Sequence, residues 1–176
     1  FYNNTGTNSG GAIEILYNSS GKQKIINSSF HDQDTFIEIE QANDDSVLII
    51  NCDFYNSTGR AIKTDGGIKY LYIKGCSFTD ITSASEAGAI NSSDGQVLHV
   101  RNSEFINMGS NNGNYHGAVL RTGADSVYFE QNLIVDSDPG YQYSLIFLDN
   151  DTEYMGVRSS IFWCEDIDNF DRYINS

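Results

Sequence analysis

Apolar and polar positions recur along the chain in one repeated order. Most copies have an apolar residue, then a Phe-centred segment five positions later, then Asn or Asp two positions after the Phe. Successive anchors lie about 24 to 29 residues apart, which is the period range of a solenoid coil. The pattern predicts about seven copies, with anchors at Phe1, Phe30, Phe54, Phe78, Phe105, Ile134 and Phe162.

A second block follows most of these anchors and combines small residues with a β-branched residue. Its clear copies are Gly10-Gly11-Ala12-Ile13, Gly59-Arg60-Ala61-Ile62, Ala87-Gly88-Ala89-Ile90 and His116-Gly117-Ala118-Val119, and its poorer copies are Thr35-Phe36-Ile37 and Ser144-Leu145-Ile146. Two blocks in a fixed order across several copies are hard to obtain by chance.

Within each copy the apolar residues alternate with polar ones, which indicates β-strands. Asn27, Asn51, Gly75 and Asn102 shift the phase of this alternation, and Asn and Gly tolerate the left-handed conformation that a corner requires. Three short strands per coil then predict an all-β, right-handed parallel β-helix of about seven coils. The Phe anchors form its core ladder. A β-propeller needs longer blades, and hexapeptide repeats typical of left-handed β-helices are absent.

Residues 1–176 are expected to form a single β-helix segment. Phe1 begins in the middle of a copy, so the segment is expected to be a fragment of a longer solenoid. No run of 18 apolar residues exists, and none of the chain is expected to span a membrane. A binding surface is expected on the variable loops 81–87, 108–116 and 137–143, or on an exposed flat sheet.

The net charge of −14, from 24 acidic and 10 basic residues, argues against a nucleic acid partner. Two acidic segments, Asp149 to Glu153 and Glu165 to Asn169, offer oxygen ligands, but solvated loop acids are the preferred interpretation. We therefore expect no cofactor and leave loosely bound calcium open. Asp32, Asp80 and Asp136 share one turn position, and His31, His99 and His116 occupy three different ones, so no catalytic residues are expected.

The cysteines Cys52 and Cys76 align in adjacent copies, and either a disulfide or two small buried thiols would fit there. The free thiols are the preferred interpretation, and Cys164 lies off this column. Possible acceptors for N-linked glycans follow the Asn-X-Ser/Thr pattern, with Asn27 the least favoured because of its corner position. The favoured sites are Asn3, Asn18, Asn56, Asn91 and Asn150, of which Asn18, Asn91 and Asn150 are on expected loops.

The paired blocks resemble the repeats of chlamydial polymorphic outer membrane proteins and of other adhesin-like surface proteins with the pectin-lyase-like fold. Gly10-Gly11-Ala12-Ile13 and Phe1-Tyr2-Asn3-Asn4 match the two motifs most fully. The resemblance implies an extracellular, non-catalytic segment with an adhesin-like or structural role, and it identifies no ligand. The expected partner is a glycan or protein on the surface of a host or neighbouring cell. Two alternatives stay open: a subunit of a glycosylated extracellular filament made of identical subunits, and a carbohydrate-active enzyme. The catalytic patterns of pectate lyases and polygalacturonases are missing.

Overall fold

The computed structural model describes residues 11–16, 21–40, 46–83, 87–110, 117–137, 144–163 and 174–175. All regular secondary structure in these residues is β-strand, and every strand pairing is parallel. The strands form three faces wound around one core, so the predicted parallel β-helix is confirmed. The right-handed sense of the winding stays a prediction.

Each face collects one strand from each turn. Face 1 consists of β1 (Ile13–Ile15), β4 (Ile37–Glu40), β7 (Ile62–Asp65), the first part of β10 (Ile90–Arg101), the first part of β13 (Leu120–Glu130), β15 (Ile146–Leu148) and β18 (Ile174–Asn175). Face 2 consists of β2 (Lys22–Ile26), β5 (Ser46–Ile50), β8 (Ile68–Lys74), the later parts of β10 and β13, and β16 (Tyr154–Arg158).

Face 3 carries the Phe anchors. It consists of β3 (Ser29–Gln33), β6 (Asp53–Ser57), β9 (Ser77–Ser83), β11 (Glu104–Ile106), β14 (Leu133–Val135) and β17 (Ile161–Trp163), and the short β12 (Gly109–Ser110) pairs with the end of β9. These residues make about five turns rather than the predicted seven. The number falls because Phe1 lies outside the described residues, and the six remaining anchors bound only five turns.

The predicted register is confirmed on two faces. On face 3 the anchors pair in one column from Phe30 to Phe162. On face 2 the apolar residues five positions earlier pair in a second column, from Ile25 to Val157. Because a one-residue slip would turn each side chain to the opposite face, these pairings fix which residues point inward.

The anchor column forms an aromatic stack in the core. Ring centroids lie 5.0 Å apart between Phe30 and Phe54, 4.9 Å between Phe54 and Phe78, and 4.8 Å between Phe78 and Phe105. All four side chains are buried. The centroid distance repeats the strand spacing of roughly 4.8 Å, so the rings stack because the strands that carry them stack.

Corners and turns adopt the backbone conformation that the sequence predicts. The corner residues between faces 2 and 3 have positive φ angles: Asn27 52°, Asn51 52°, Gly75 62°, Asn102 50°, Gln131 56° and Ser159 50°. The turn residues after the anchors do too: Asp32 56°, Asn56 56°, Asp80 53°, Asn107 55° and Asp136 47°. The interpretation of the aspartates as turn residues is therefore confirmed.

The structure corrects the alignment of one copy of the second block. Leu120, rather than Val119, pairs with Ile90 in the inward column of face 1. The backbone amides of both Val119 and Leu120 donate to the carbonyl of Leu145, at 2.9 and 3.1 Å, so the chain accommodates one extra residue there. Because both side chains are buried, hydrophobicity alone does not distinguish them.

Candidate functional site

The outer surface of face 2 carries a continuous row of aromatic side chains. In β8, Leu71 and Ile73 point into the core, and the alternation therefore turns Tyr70 and Tyr72 outward. The pairing of β8 with β10, and of β10 with β13, sets Tyr72, His99 and Tyr128 in one outward column. We call the following residues the aromatic strip: Tyr70, Tyr72, His99, Tyr128 and Tyr154.

Neighbouring rings of the aromatic strip are in contact along its whole length. Centroids are 5.9 Å apart between Tyr70 and Tyr72, and 5.2 Å apart between Tyr72 and His99. They are 5.6 Å apart between His99 and Tyr128, and 5.5 Å apart between Tyr128 and Tyr154. Such pairs stabilise by about 0.5–1.5 kcal/mol each, so the rings of the strip hold one another in place.

Tyr154 completes the strip because the residue two positions later has no side chain. Gly156 pairs with Tyr128, but a Cβ at Gly156 would approach the Tyr154 hydroxyl oxygen to 2.8 Å and two of its ring carbons to 3.3 Å. The Tyr154 ring therefore lies over Gly156 and extends the outward column by one rung. It is 43% exposed, which leaves part of its surface open to solvent.

A hydrogen-bonded row crosses the strip at its centre. His99 Nε2 lies 3.2 Å from Glu130 Oε2, and His99 Nδ1 lies 3.5 Å from the Tyr70 hydroxyl. An ionised Glu130 can only accept, so Nε2 donates to it, and in the neutral imidazole Nδ1 then accepts from Tyr70. Burial raises the pKa of Tyr70, with a smaller contribution from Tyr72, which keeps this hydroxyl protonated as a donor.

Basic residues concentrate on the same face. In the aligned positions of face 2, from Lys22–Ile26 to Tyr154–Arg158, the outward side chains include five of the ten basic residues of the chain. They are Lys22, Lys24, Lys74, Arg101 and Arg158, and Glu130 is the only acidic residue in these aligned positions. The exposed Asp125 of β13 lies just before them on the same face. In a chain of net charge −14, this face therefore has the opposite local charge balance.

Three of these residues form an edge beside the aromatic strip. Lys74, Arg101 and Arg158 share the outward column that follows the strip along each strand, and we call them the basic edge. Arg101 Nε donates to Gln131 Oε1 at 2.9 Å, and Arg158 Nη1 lies 3.8 Å from Glu130 Oε1. The Arg158 side chain is still 66% exposed, so this contact leaves most of it accessible.

A cleft of about 430 Å³ lies at the corner between faces 2 and 3. Gly75 interrupts the corner row there, and Asn102 and Gln131 continue it. Asp53 and Glu104 line the cleft from face 3, on either side of Ser77. These two acids are two rungs apart, roughly 9.6 Å between Cα atoms. The cleft thus adjoins the basic edge but carries the opposite charge.

The two aligned cysteines are free and buried. Cys52 Sγ lies 3.4 Å from the carbonyl of Ile50, and Cys76 Sγ lies 3.5 Å from that of Lys74. Ser103, the next residue of this column, donates to the carbonyl of Arg101 at 3.1 Å. The hydrogen bond with Cys52, together with burial, raises the pKa of Cys76. The thiols thus occupy a position where serine makes the same contact.

The predicted glycan acceptors fall in different environments. Asn56 is exposed at its turn, and Asn150 is exposed in a turn. Asn91 lies in β10 rather than in the expected loop, and only 8% of it is exposed. Asn27 is exposed at its corner, although the sequence placed it on an inner one. Asn3 and Asn18 lie outside the described residues.

In the first acidic segment, Asp149 forms an ion pair with Arg121. Asp149 accepts hydrogen bonds from Arg121 Nε at 3.2 Å and from Arg121 Nη2 at 3.2 Å. Within the described ranges, no group of three or more His, Cys, Asp or Glu residues is arranged to hold a metal ion. The second acidic segment, Glu165 to Asn169, lies outside the described residues, as do Cys164 and His116.

Sequence reasoning missed the aromatic strip because it compared the histidines only with one another and not with the tyrosines of neighbouring copies. His99 shares its place in the repeat with no other histidine, yet its ring contacts Tyr72 and Tyr128. The sequence does contain an indication of the strip, because Tyr70, Leu71 and Tyr72 alternate between polar aromatic and apolar residues. Once the apolar column of face 2 is aligned, the same alternation sets every other residue on one outward surface.

Within the described part of the chain, no helix has the length and apolar character needed to cross a membrane. Comparisons with protein-family models, with curated proteins and with solved structures found no match to this chain.

Proposed function

We propose that this chain is a non-catalytic, adhesin-like segment of an extracellular surface protein, in which the outer surface of face 2 binds a macromolecule of another cell or matrix. The aromatic strip is the observation that carries the proposal. The resemblance of the paired motifs to polymorphic outer membrane protein repeats supports surface display. It gives no ligand, so the ligand-binding part of the proposal depends on the geometry of face 2.

The aromatic strip has features that a purely structural row would not need. Core stacking is already supplied by the Phe column, and the rings of the strip lie outside that core, half-buried or, at Tyr154, exposed. Tyrosine and arginine are enriched where binding energy concentrates, because each combines a large apolar area with polar groups. Face 2 sets both residue types side by side on a rigid sheet, so little conformational entropy would be lost on binding.

Binding of the purified chain to cell and matrix surfaces tests this proposal. The chain offers a matched pair of tyrosines, because Tyr154 in the strip is 43% exposed and Tyr55 on face 3 is 39% exposed. We expect Tyr154→Ser to weaken binding by about tenfold or more, as for an interface tyrosine, and Tyr55→Ser to leave it unchanged. No binding to any surface in the panel, or equal loss in both variants, would contradict the proposal.

The corner cleft favours a second candidate, a carbohydrate-active enzyme. Hydrolysis with inversion uses two carboxyl groups about 6.5–9.5 Å apart, and Asp53 and Glu104 lie two rungs apart in one cleft. A panel of acidic and neutral polysaccharides, assayed for new reducing ends, tests this candidate. Activity lost in both Asp53→Asn and Glu104→Gln would establish it, and no activity on the panel would remove it.

A further inference from the structure

We infer that the ligand of face 2 is a carboxylated glycan, bound along the solenoid axis with its sugar rings on the aromatic strip and its carboxylates on the basic edge. This inference rests on the proposed function and names the ligand class for the same surface. It follows from the shape of the strip, the position of the basic residues beside it and the low density of positive charge on this face.

The shape of the strip suits a chain-like ligand. From Tyr72 to the Tyr154 ring over Gly156 the strip crosses four rungs, a length of roughly 14 Å at the strand spacing. It runs across the strands, and therefore along the axis of the solenoid. Neighbouring rings from Tyr72 to Tyr154 are tilted by 48° to 66° to one another, so the row presents both ring faces and ring edges. A narrow row of half-buried rings of this length contacts several consecutive sugar rings of an extended oligosaccharide through their apolar faces, and the hydroxyl of Tyr70 lies beside the same row.

The position of the charges selects an acidic ligand over a neutral one. Lys74 and Arg101 lie on neighbouring rungs, and Arg101 and Arg158 lie two rungs apart, roughly 9.6 Å. All three flank the strip on the same side. A guanidinium binds a carboxylate through two parallel hydrogen bonds, which a neutral sugar cannot offer. A ligand that lies on the rings thus brings its carboxylates within reach of this edge.

The charge density of the face favours a glycan over a nucleic acid. A nucleic acid carries a charge on every nucleotide, and binding depends on neutralising many phosphates at once. The basic edge holds three cations, and Glu130 interrupts it between Arg101 and Arg158. The net charge of −14 adds repulsion for a dense polyanion. A glycan with one carboxylate on every second sugar matches this sparse spacing better.

Calorimetric titration with three short probes tests the inference: a hyaluronan hexasaccharide, the same hexasaccharide with its carboxyl groups methyl-esterified, and a single-stranded hexanucleotide. We expect the free acid to bind and esterification to weaken binding by about tenfold or more, because charge-assisted hydrogen bonds are lost. Equal binding of the acid and the ester, or tighter binding of the hexanucleotide, would overturn the inference.

Two double variants locate the site. Arg101→Gln with Arg158→Gln removes two charges from the basic edge, whereas Lys22→Gln with Lys24→Gln removes two charges from the first rung of the same face. We expect the first pair to weaken binding by about tenfold or more and the second to change it less than about twofold. Equal losses would show a diffuse charge effect and overturn the site. Thermal unfolding of both variants checks that the fold is kept.

The outcomes separate this inference from the proposed function. If the chain binds cell or matrix surfaces through Tyr154 but none of the acidic probes, the ligand class is wrong and the recognition role stands. If it binds neither surfaces nor probes, both are wrong.

Discussion

At the residue scale, the fold depends on positions where an L-residue must adopt a left-handed backbone. Asn51 has a φ of 52°, and its side-chain amide donates to Asn27 Oδ1 at 3.4 Å in the turn below. The next corner is Gly75, where an added Cβ would approach Asn51 Oδ1 to 2.6 Å. At Asn51, the preference of the residue for a left-handed backbone and the hydrogen bond of its side chain to the neighbouring corner therefore both contribute to the stability of the corner.

A pair of substitutions at Asn51 separates these two effects. Asn51→Ala is expected to lower the free energy of unfolding by about 1–2 kcal/mol, because alanine disfavours the left-handed conformation. Asn51→Gly keeps the conformation accessible and loses only the exposed side-chain contact, so its loss should be smaller. Urea denaturation measures both. If alanine is tolerated as well as glycine, conformation is not what this corner requires.

From the contacts of Asp32 in its turn, we predict that the stability of the fold depends on pH in the acidic range. The side chain of His31, and then that of Asn56, hydrogen-bond to the Asp32 carboxylate and hold its pKa below the usual value. A lowered folded-state pKa stabilises the fold above the unfolded value of about 3.9, and this stabilisation is lost as the pH falls through the folded-state pKa.

His31→Phe tests the cause of this shift, because phenylalanine keeps a ring that can stack on Tyr55, as His31 does at 4.8 Å, but cannot hydrogen-bond. We expect the Asp32 pKa, followed by NMR titration, to rise towards its ordinary value in this variant. A pKa that stays low would mean that Asn56 or the turn backbone causes the shift.

At the element scale, each strand contributes one buried layer, and face 3 shows how strongly the layers depend on one another. Phe78 stacks on Phe54 and on Phe105, and it is fully buried. The following residue, Thr79, points outward on the same strand. Because stability in a solenoid is the sum of turns and their interfaces, a lost anchor weakens two interfaces at once.

Phe78→Ala is therefore expected to lower the free energy of unfolding by about 3–5 kcal/mol, the range for a large aromatic core residue. Thr79→Ala, one position away, should change it by less than about 0.5 kcal/mol, as expected of a surface substitution. Chemical denaturation of the two variants compares inward with outward positions. Similar losses would indicate that the register of β9 is wrong.

The elements were largely predictable from the sequence, and the reasons are visible in particular residues. The column from Phe30 to Phe162 was readable because every copy except the last repeats the anchor with Asn or Asp two positions later, and Cys164 takes that place after Phe162. The position of Leu120 was not, because Val119 beside it is equally apolar and only the pairing of Leu120 with Ile90 distinguishes them. The repeated motif thus predicts the coil, whereas an inserted residue changes which residues pair and leaves no mark in the hydrophobic pattern.

The site was less predictable than the fold, because it does not repeat. The outward column of face 2 contains Lys24, Leu48, Tyr72, His99, Tyr128 and Gly156, and no two of its neighbours are identical. A search for repeated chemistry passes over such a column. To recognise this column as one surface, one must know the exact pairing of strands about 24 to 29 residues apart. One must also know that Gly156 has no side chain, so that Tyr154 can lie over it.

At the scale of the whole molecule, the solenoid keeps its charges apart. The chain has a net charge of −14, yet half of its basic residues point outward from face 2. On face 1, by contrast, Lys63 pairs with the Glu38 carboxylate at 2.5 Å. Burial lowers the pKa of Lys63, but its hydrogen bonds to Asp65 and Glu38 outweigh this and raise it. The basic edge is therefore distinct in having exposed cations beside aromatic rings.

Photo-crosslinking from face 2 is the most direct test of the central claim that this surface is the binding site. A benzophenone side chain is introduced at position 154 in one sample and at position 55 in another, two tyrosine positions of similar exposure on different faces. After binding to the surface that retains the native chain, irradiation should link the ligand to position 154 and leave position 55 unlinked. Crosslinks from position 55 alone, or equally from both positions, would contradict the account.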